Sequence, residues 1–163
     1  MPFLRCVLYL AVLGVLAHII GEALPRCWFS AQRFPFRSAR WEKDGRVYKK
    51  LGVHRWKDHV PDMSRIMKDM RPKRLEGAEL TAQTLQTLVQ ETCVAECVHA
   101  VLILLSPVLL VLWPGWGGAA LCAFDILLLN LPFILIQRYN RPKLAALAER
   151  RQRRAAPAKE RLS

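Results

Sequence analysis

The sequence is poor in acid: 13 Asp and Glu stand against 25 Lys and Arg in 163 residues, a net charge of +12. Over one long stretch it has almost no charge of either sign. From Cys97 to Gln137, 41 residues, Asp125 is the one formal charge. There is no Cys-x-x-Cys pair, the five cysteines are odd in number, and Cys93 and Cys97 stand four apart. These absences argue against a disulfide framework and against a zinc site. Four of the five cysteines lie in or beside apolar runs, where a thiol behaves as a small hydrophobe. No internal repeat is present. A disordered chain is excluded by the 53% hydrophobic content. A coiled coil and an ordinary soluble domain do not combine such apolar content with so much charge.

What is there is segregated. Fifteen basic residues fall between Arg26 and Arg74, and nine more in the last 26 positions. Apolar runs alternating with basic segments describe a small all-α membrane protein, a single membrane domain over residues 1–163 with about three transmembrane helices. The first run, residues 3–24, is interrupted by Arg5, His18 and Glu22 and is long enough to span a bilayer. A cleaved signal peptide is its rival reading, since Gly21-Glu22-Ala23 loosely matches a small-x-small site. Basic residues stay on the cytoplasmic side, which puts the N-terminus outside and residues 25–90 inside.

Residues 25–77 read as a cytoplasmic loop with Trp28, Phe29, Phe34, Phe36, Trp41, Tyr48 and Trp56 among its cations. The expectation is a segment on the membrane surface, aromatics at headgroup level and cations toward anionic lipid. The membrane tether argues against nucleic acid as partner. Residues 78–113 read as one long helix, unbroken before Pro107, that enters the membrane near Cys97. Trp113-Pro114-Gly115-Trp116-Gly117-Gly118 is a turn, residues 119–137 are the last span, and residues 138–163 are a basic tail, of which Ala148–Ser163 reads as frayed helix or disordered.

Ionisable groups in a membrane helix are costly and mark candidate sites. Glu91, Glu96 and His99 fall on one side of the long helix at about 100° per residue, with Thr92. Glu96 and His99, three apart, can touch, and a carboxylate that orients an imidazole suits a general base. The Glu-x-x-His spacing also ligates metals in bundles, but Asp125 is the only acid on the last span, so no metal is expected. The bland reading is a buried polar cluster that joins helices. Asn130 and Gln137 share a face of the last span. Beyond them, Arg138 and Arg141 are either snorkelling cations or an anion site for a coenzyme A or lipid phosphate. Within Gly52–Asp62, His54 and His59 are further candidate bases, and Asp62 a group to orient one, in what is otherwise a solvated interfacial loop.

Three stretches together resemble one family: Arg55-Trp56-Lys57 with Asp62; Glu91-Thr92 with Ala95-Glu96 and His99; and Asn130 with Pro132 leading to Gln137-Arg138-Tyr139-Asn140-Arg141-Pro142. Their order and spacing are similar to the glycosyl-4,4'-diaponeurosporenoate acyltransferase family of staphyloxanthin-type carotenoid synthesis, over residues 41–145. The resemblance implies transfer of a fatty acyl group to a sugar hydroxyl of a membrane glycolipid. The donor would be an acyl-CoA or acyl-carrier-protein thioester, a co-substrate rather than a cofactor, and the enzyme would work at the cytoplasmic face of the cell membrane. On that reading His99, Glu96 and Glu91 are catalytic. Trp56, Lys57, Asp62, Asn130, Gln137, Arg138, Tyr139, Asn140 and Arg141 bind substrate, with the two arginines on the donor's phosphates. Asn130, Gln137 or Trp56 would donate to the oxyanion. The rivals are a non-catalytic accessory subunit and a metal-dependent membrane hydrolase. Three spans enclose little space, which leaves a homodimer open.

Overall fold

The computed structural model describes residues 1–57, 59–60 and 81–160, with side chains through residue 155. The described residues form an all-helical membrane protein. Helix α1 is Pro2–Ala23. Two short 3₁₀ turns, Arg26–Trp28 and Arg40–Glu42, and the short helices α2 (Arg46–Lys50) and α3 (Val53–Trp56) make up the loop. Then come α4 (Ala82–Leu105), α5 (Val108–Leu112), α6 (Trp116–Phe124), a π-helical turn over Asp125–Asn130, and α7 (Leu131–Glu160). Three stretches are long and apolar enough to cross a membrane: Pro2–Ala23, Ala82–Leu112 and Trp116–Ala155. At 1.5 Å per residue, the 22 residues of α1 reach about 33 Å, the thickness of a hydrocarbon core.

Each helix ends for a local reason. Proline at position 25 holds Leu24 extended and stops α1. The Arg26 guanidinium then donates to the carbonyls of Gly21, Glu22 and Leu24, so a cation caps the negative end of the helix. Thr81 caps α4, its hydroxyl accepting from the Thr84 N–H at 3.1 Å. Pro107 has no N–H for the carbonyl of Ile103, and the Ser106 N–H serves Leu102 and Ile103 together. The Leu109 N–H turns to Ser106, and the Tyr9 hydroxyl donates to the Leu105 carbonyl from α1. The single helix expected over 78–113 is therefore α4 plus α5; its expected start lies outside the described residues.

The hairpin turns where the Trp-Pro-Gly sequence predicts. Gly115 sits at φ +100°, and a Cβ on Gly118 would come 2.0 Å from the Trp113 carbonyl oxygen. Only glycine fits that approach.

Two expectations are corrected. The helix of the last span does not end at Gln137: α7 runs on to Glu160, through most of the stretch after Leu147 expected to fray. It lies antiparallel to α4 in the most extensive helix contact of the molecule, which gives the basic segment a partner. Nor does the loop lie wholly on a membrane surface. Phe29 packs with Cys93 and Val94 of α4, and Tyr48 and Val53 pack with Ile136 and Tyr139 of α7. Trp28, Phe34 and Trp41 remain exposed, as a headgroup-facing segment requires. Gly45, at φ +85°, lets the loop backbone come against the Tyr139 carbonyl, where a Cβ would stand 3.2 Å away.

Gly118→Ala is expected to lower the unfolding temperature of the detergent-solubilised protein, by the equivalent of about 1–3 kcal/mol, because the clash is with backbone. Gly14→Ala, where an added Cβ meets nothing within 4 Å, is the control and leaves it level or raised.

Candidate active site

The loop, α4 and α7 meet at a buried chain of alternating charges. Glu42 from the loop is 2% exposed and accepts from the Ala39 N–H, the Tyr48 hydroxyl and Arg138 Nη1, the last at 2.8 Å. Arg138 also donates from Nε to Glu96 Oε1 at 2.8 Å, and from Nη2 to the Pro35 carbonyl. Glu96 is shared. Its second oxygen takes Arg141, which further donates to the Thr92 hydroxyl at 2.9 Å and to the carbonyls of Thr92 and Phe36. Two carboxylates and two guanidiniums sum to zero, and most of their hydrogen-bonding capacity is met, which is the condition for burying charge. Burial pushes the Glu42 carboxyl up, but the Tyr48 and Arg138 hydrogen bonds outweigh it and hold it below the ordinary carboxylate range. Tyr48 is pushed well above the ordinary phenol range by burial and by its bond to Glu42.

The expected Glu96–His99 dyad is not formed, because the two arginines hold Glu96. His99 turns instead to Asn130: Nδ1 lies 3.0 Å from Asn130 Oδ1, and the ring stacks on Phe133 at 4.6 Å and 9°. The Asn130 amide is oriented by its other end, since Nδ2 donates to the Asp125 carbonyl at 3.0 Å. Oδ1 can only accept, so His99 Nδ1 carries a proton. The π turn makes this possible. With its i→i+5 spacing it stacks Asp125 and Asn130, five apart, on one face, where an α-helix would put them about 140° apart. Asp125 in turn meets the Ser106 hydroxyl at 2.5 Å, beside the Pro107 break. Both ends of the Asn130 amide are thus engaged, its oxygen by His99 and its nitrogen by the Asp125 carbonyl.

Glu91 is drawn away from the other two, into a bidentate pair with Arg26 at 3.0 and 3.1 Å that fastens α1 to α4. Arg138 and Arg141 hold the structure together; the expected phosphate contacts would compete with carboxylates already in place. Tyr139 is buried against Tyr48, with Lys143 Nζ 3.2 Å above its ring. Gln137 and Asn140 are half-buried on α7. Trp56, His59 and His99 line one open cleft of about 640 Å³, with Leu128, Leu129 and Phe133 on its apolar wall. Lys57, half-buried, follows Trp56 in the chain; Asp62 lies outside the described residues. Among the described residues no three His, Cys, Asp or Glu side chains gather as a metal centre would need. Sequence reasoning missed Glu42; its signal was an acid beside Trp41 in a mostly basic loop.

Removing Glu96 leaves two buried guanidiniums short of a partner. Glu96→Gln is expected to cost about 3–5 kcal/mol in thermal unfolding of the solubilised protein. The depressed Glu42 carboxyl adds stability above the ordinary carboxylate range, which is lost as pH falls through its lowered value. Glu42→Gln should therefore lessen the acid dependence of unfolding temperature between neutral pH and the acid limb.

The glycosyl-4,4'-diaponeurosporenoate acyltransferase family model matches residues 25–150, which takes in the loop, the charge chain and the His99–Asn130 pair. Proteins named glycosyl-4,4'-diaponeurosporenoate acyltransferase from Staphylococcus aureus strains bovine RF122 / ET3-1, MRSA252 and N315 are each 26% identical over 150 residues, 91% of this chain and 89% of theirs. No solved structure matches. A non-catalytic accessory subunit, one of the rival readings, gives way to this match. The chain belongs to the glycosyl-4,4'-diaponeurosporenoate acyltransferase family and is an acyltransferase.

Proposed function

We propose that the protein moves a fatty acyl group from a thioester donor to a sugar hydroxyl of a membrane glycolipid, with His99 as general base. The observation that carries the reading is the Asn130 amide on His99 Nδ1, at the edge of an apolar cleft. It fixes the tautomer whose Nε2 takes a proton. The hydroxyl oxygen attacks the thioester carbonyl while its proton passes to Nε2. The new C–O bond forms, the C–S bond breaks, and the departing thiolate recovers the proton from the imidazolium. Trp56 Nε1 is the donor for the developing oxyanion. Its bond to the Leu51 carbonyl is long at 3.4 Å, and its ring lines the cleft. With Arg138 and Arg141 occupied, the cations for a carrier's phosphates are Arg55 and Lys57, on or just after α3.

The relatives' names point to a glycosyl-diaponeurosporenoate acceptor, and a carotenoid-like glycolipid is the acceptor class we assign. The three spans suit a cell-membrane protein, and the basic loop supports a working face toward the cytoplasm. Holding two amphiphiles in one membrane plane supplies the positioning that a single base does not.

In vesicles, His99→Ala is expected to slow acyl transfer about 10²–10⁴-fold while inserting normally. Asn130→Leu should slow it less and shift the pH profile, because the ring loses its fixed tautomer. Wild-type transfer by the His99→Ala protein would remove His99 from the reaction. Mass spectrometry of lipids from cells with and without the protein names the acceptor.

A further inference from the structure

The described lining of the cleft beside His99 suits an acyl chain better than a sugar. Polar sugar hydroxyls need hydrogen-bonding partners once out of water, yet beyond Trp56 and the two histidines the described lining is Val60, Leu128, Leu129, Pro132 and Phe133. Its volume of about 640 Å³ falls in the roughly 300–1,000 Å³ range of small-molecule cavities. Part of its wall is the π turn, where Leu128 is 60% and Leu129 44% exposed, on the stretch of chain that crosses the membrane. The cleft therefore joins His99 and the exposed leucines of the π turn in one lining. We infer that it is the slot for the donor's fatty acyl chain, open sideways to the bilayer, and that Leu128 and Leu129 set the chain length accepted. This rests on the acyl-transfer reading above and adds where the chain lies.

The physics of selection follows from the surroundings. A chain that leaves lipid for an apolar slot gains little hydrophobic free energy, because lipid tails are as apolar as leucine. Length is then read by fit against the wall, not by a gain per methylene. The π turn, which aims Asn130 at His99, displaces the same leucines from α-helical register, so orientation of the base and the shape of the slot share one backbone feature.

The test uses the full chain in vesicles with a fixed glycolipid acceptor and acyl-CoA donors of increasing chain length. Leu128→Trp and Leu129→Trp narrow the slot. Each is expected to lower the ratio of longest-chain to shortest-chain transfer by about tenfold or more. The paired change to alanine at both positions should raise that ratio. Leu104→Trp, at a position 77% exposed on α4 and away from the cleft, leaves it unchanged. A donor with a photoreactive group at its chain end should label peptides containing Leu128–Phe133. An unmoved ratio in all three slot variants, with labelling elsewhere, overturns the slot while wild-type transfer continues. A ratio that follows the acceptor's chain and not the donor's overturns it as well. No transfer by wild type from any donor overturns the reading beneath it.

Discussion

The Glu42–Arg138–Glu96–Arg141 chain is the constraint on which the rest of the structure depends. A single charge at this depth costs several kcal/mol, and a half-paired one costs more than none at all. Four groups that neutralise one another in sequence can be buried together. They come from three separate pieces of chain: Glu42 from the loop, Glu96 from α4, and the arginines from α7. Burying them fixes the loop on the helix pair, the register of α4 against α7, and the course of α7 beyond the apolar span. Arg141 also lies with its guanidinium carbon 5.5 Å from the Phe36 ring centroid, so the same residue pins the aromatic part of the loop.

Because the arginines claim Glu96, polar residues one turn apart on α4 do different work. Glu96 holds the fold; His99, three positions on, lines the cleft and meets Asn130. Glu91, five positions back, ties down α1. Polar groups with different partners are thus separated along one helix, by about a turn at each step. A destabilised variant and a catalytically impaired one are therefore expected at neighbouring positions for unrelated reasons.

Much of this was legible in the sequence, and the failures are specific. The three spans follow from uncharged length, and the hairpin from Trp113-Pro114-Gly115, because bilayer thickness and backbone stereochemistry act locally. That Glu91, Glu96, His99, Asn130, Arg138 and Arg141 matter also shows in their cost inside apolar surroundings. Their partners do not show. Helical spacing places Glu96 and His99 within reach of each other, but two guanidiniums outcompete one imidazole for a carboxylate, and Glu42 lies 54 positions away from Glu96 in the chain. The π turn was hidden for a similar reason: Asp125, Ser106 and the Pro107 break cooperate across the hairpin, whereas a 3.6-residue period assumes each helix is regular. The persistence of α7 past Gln137 depends on α4 lying beside it, which composition alone does not report.

Asn130 shows how one backbone feature places a side chain in the cleft. Its Oδ1 faces His99 Nδ1 at 3.0 Å, and its Nδ2 is held by the Asp125 carbonyl, so the amide has one orientation. An amide held by a backbone carbonyl positions the ring without adding an ion of its own. The acids Glu42 and Glu96 are taken up by the arginines, where they stiffen the scaffold around the cleft.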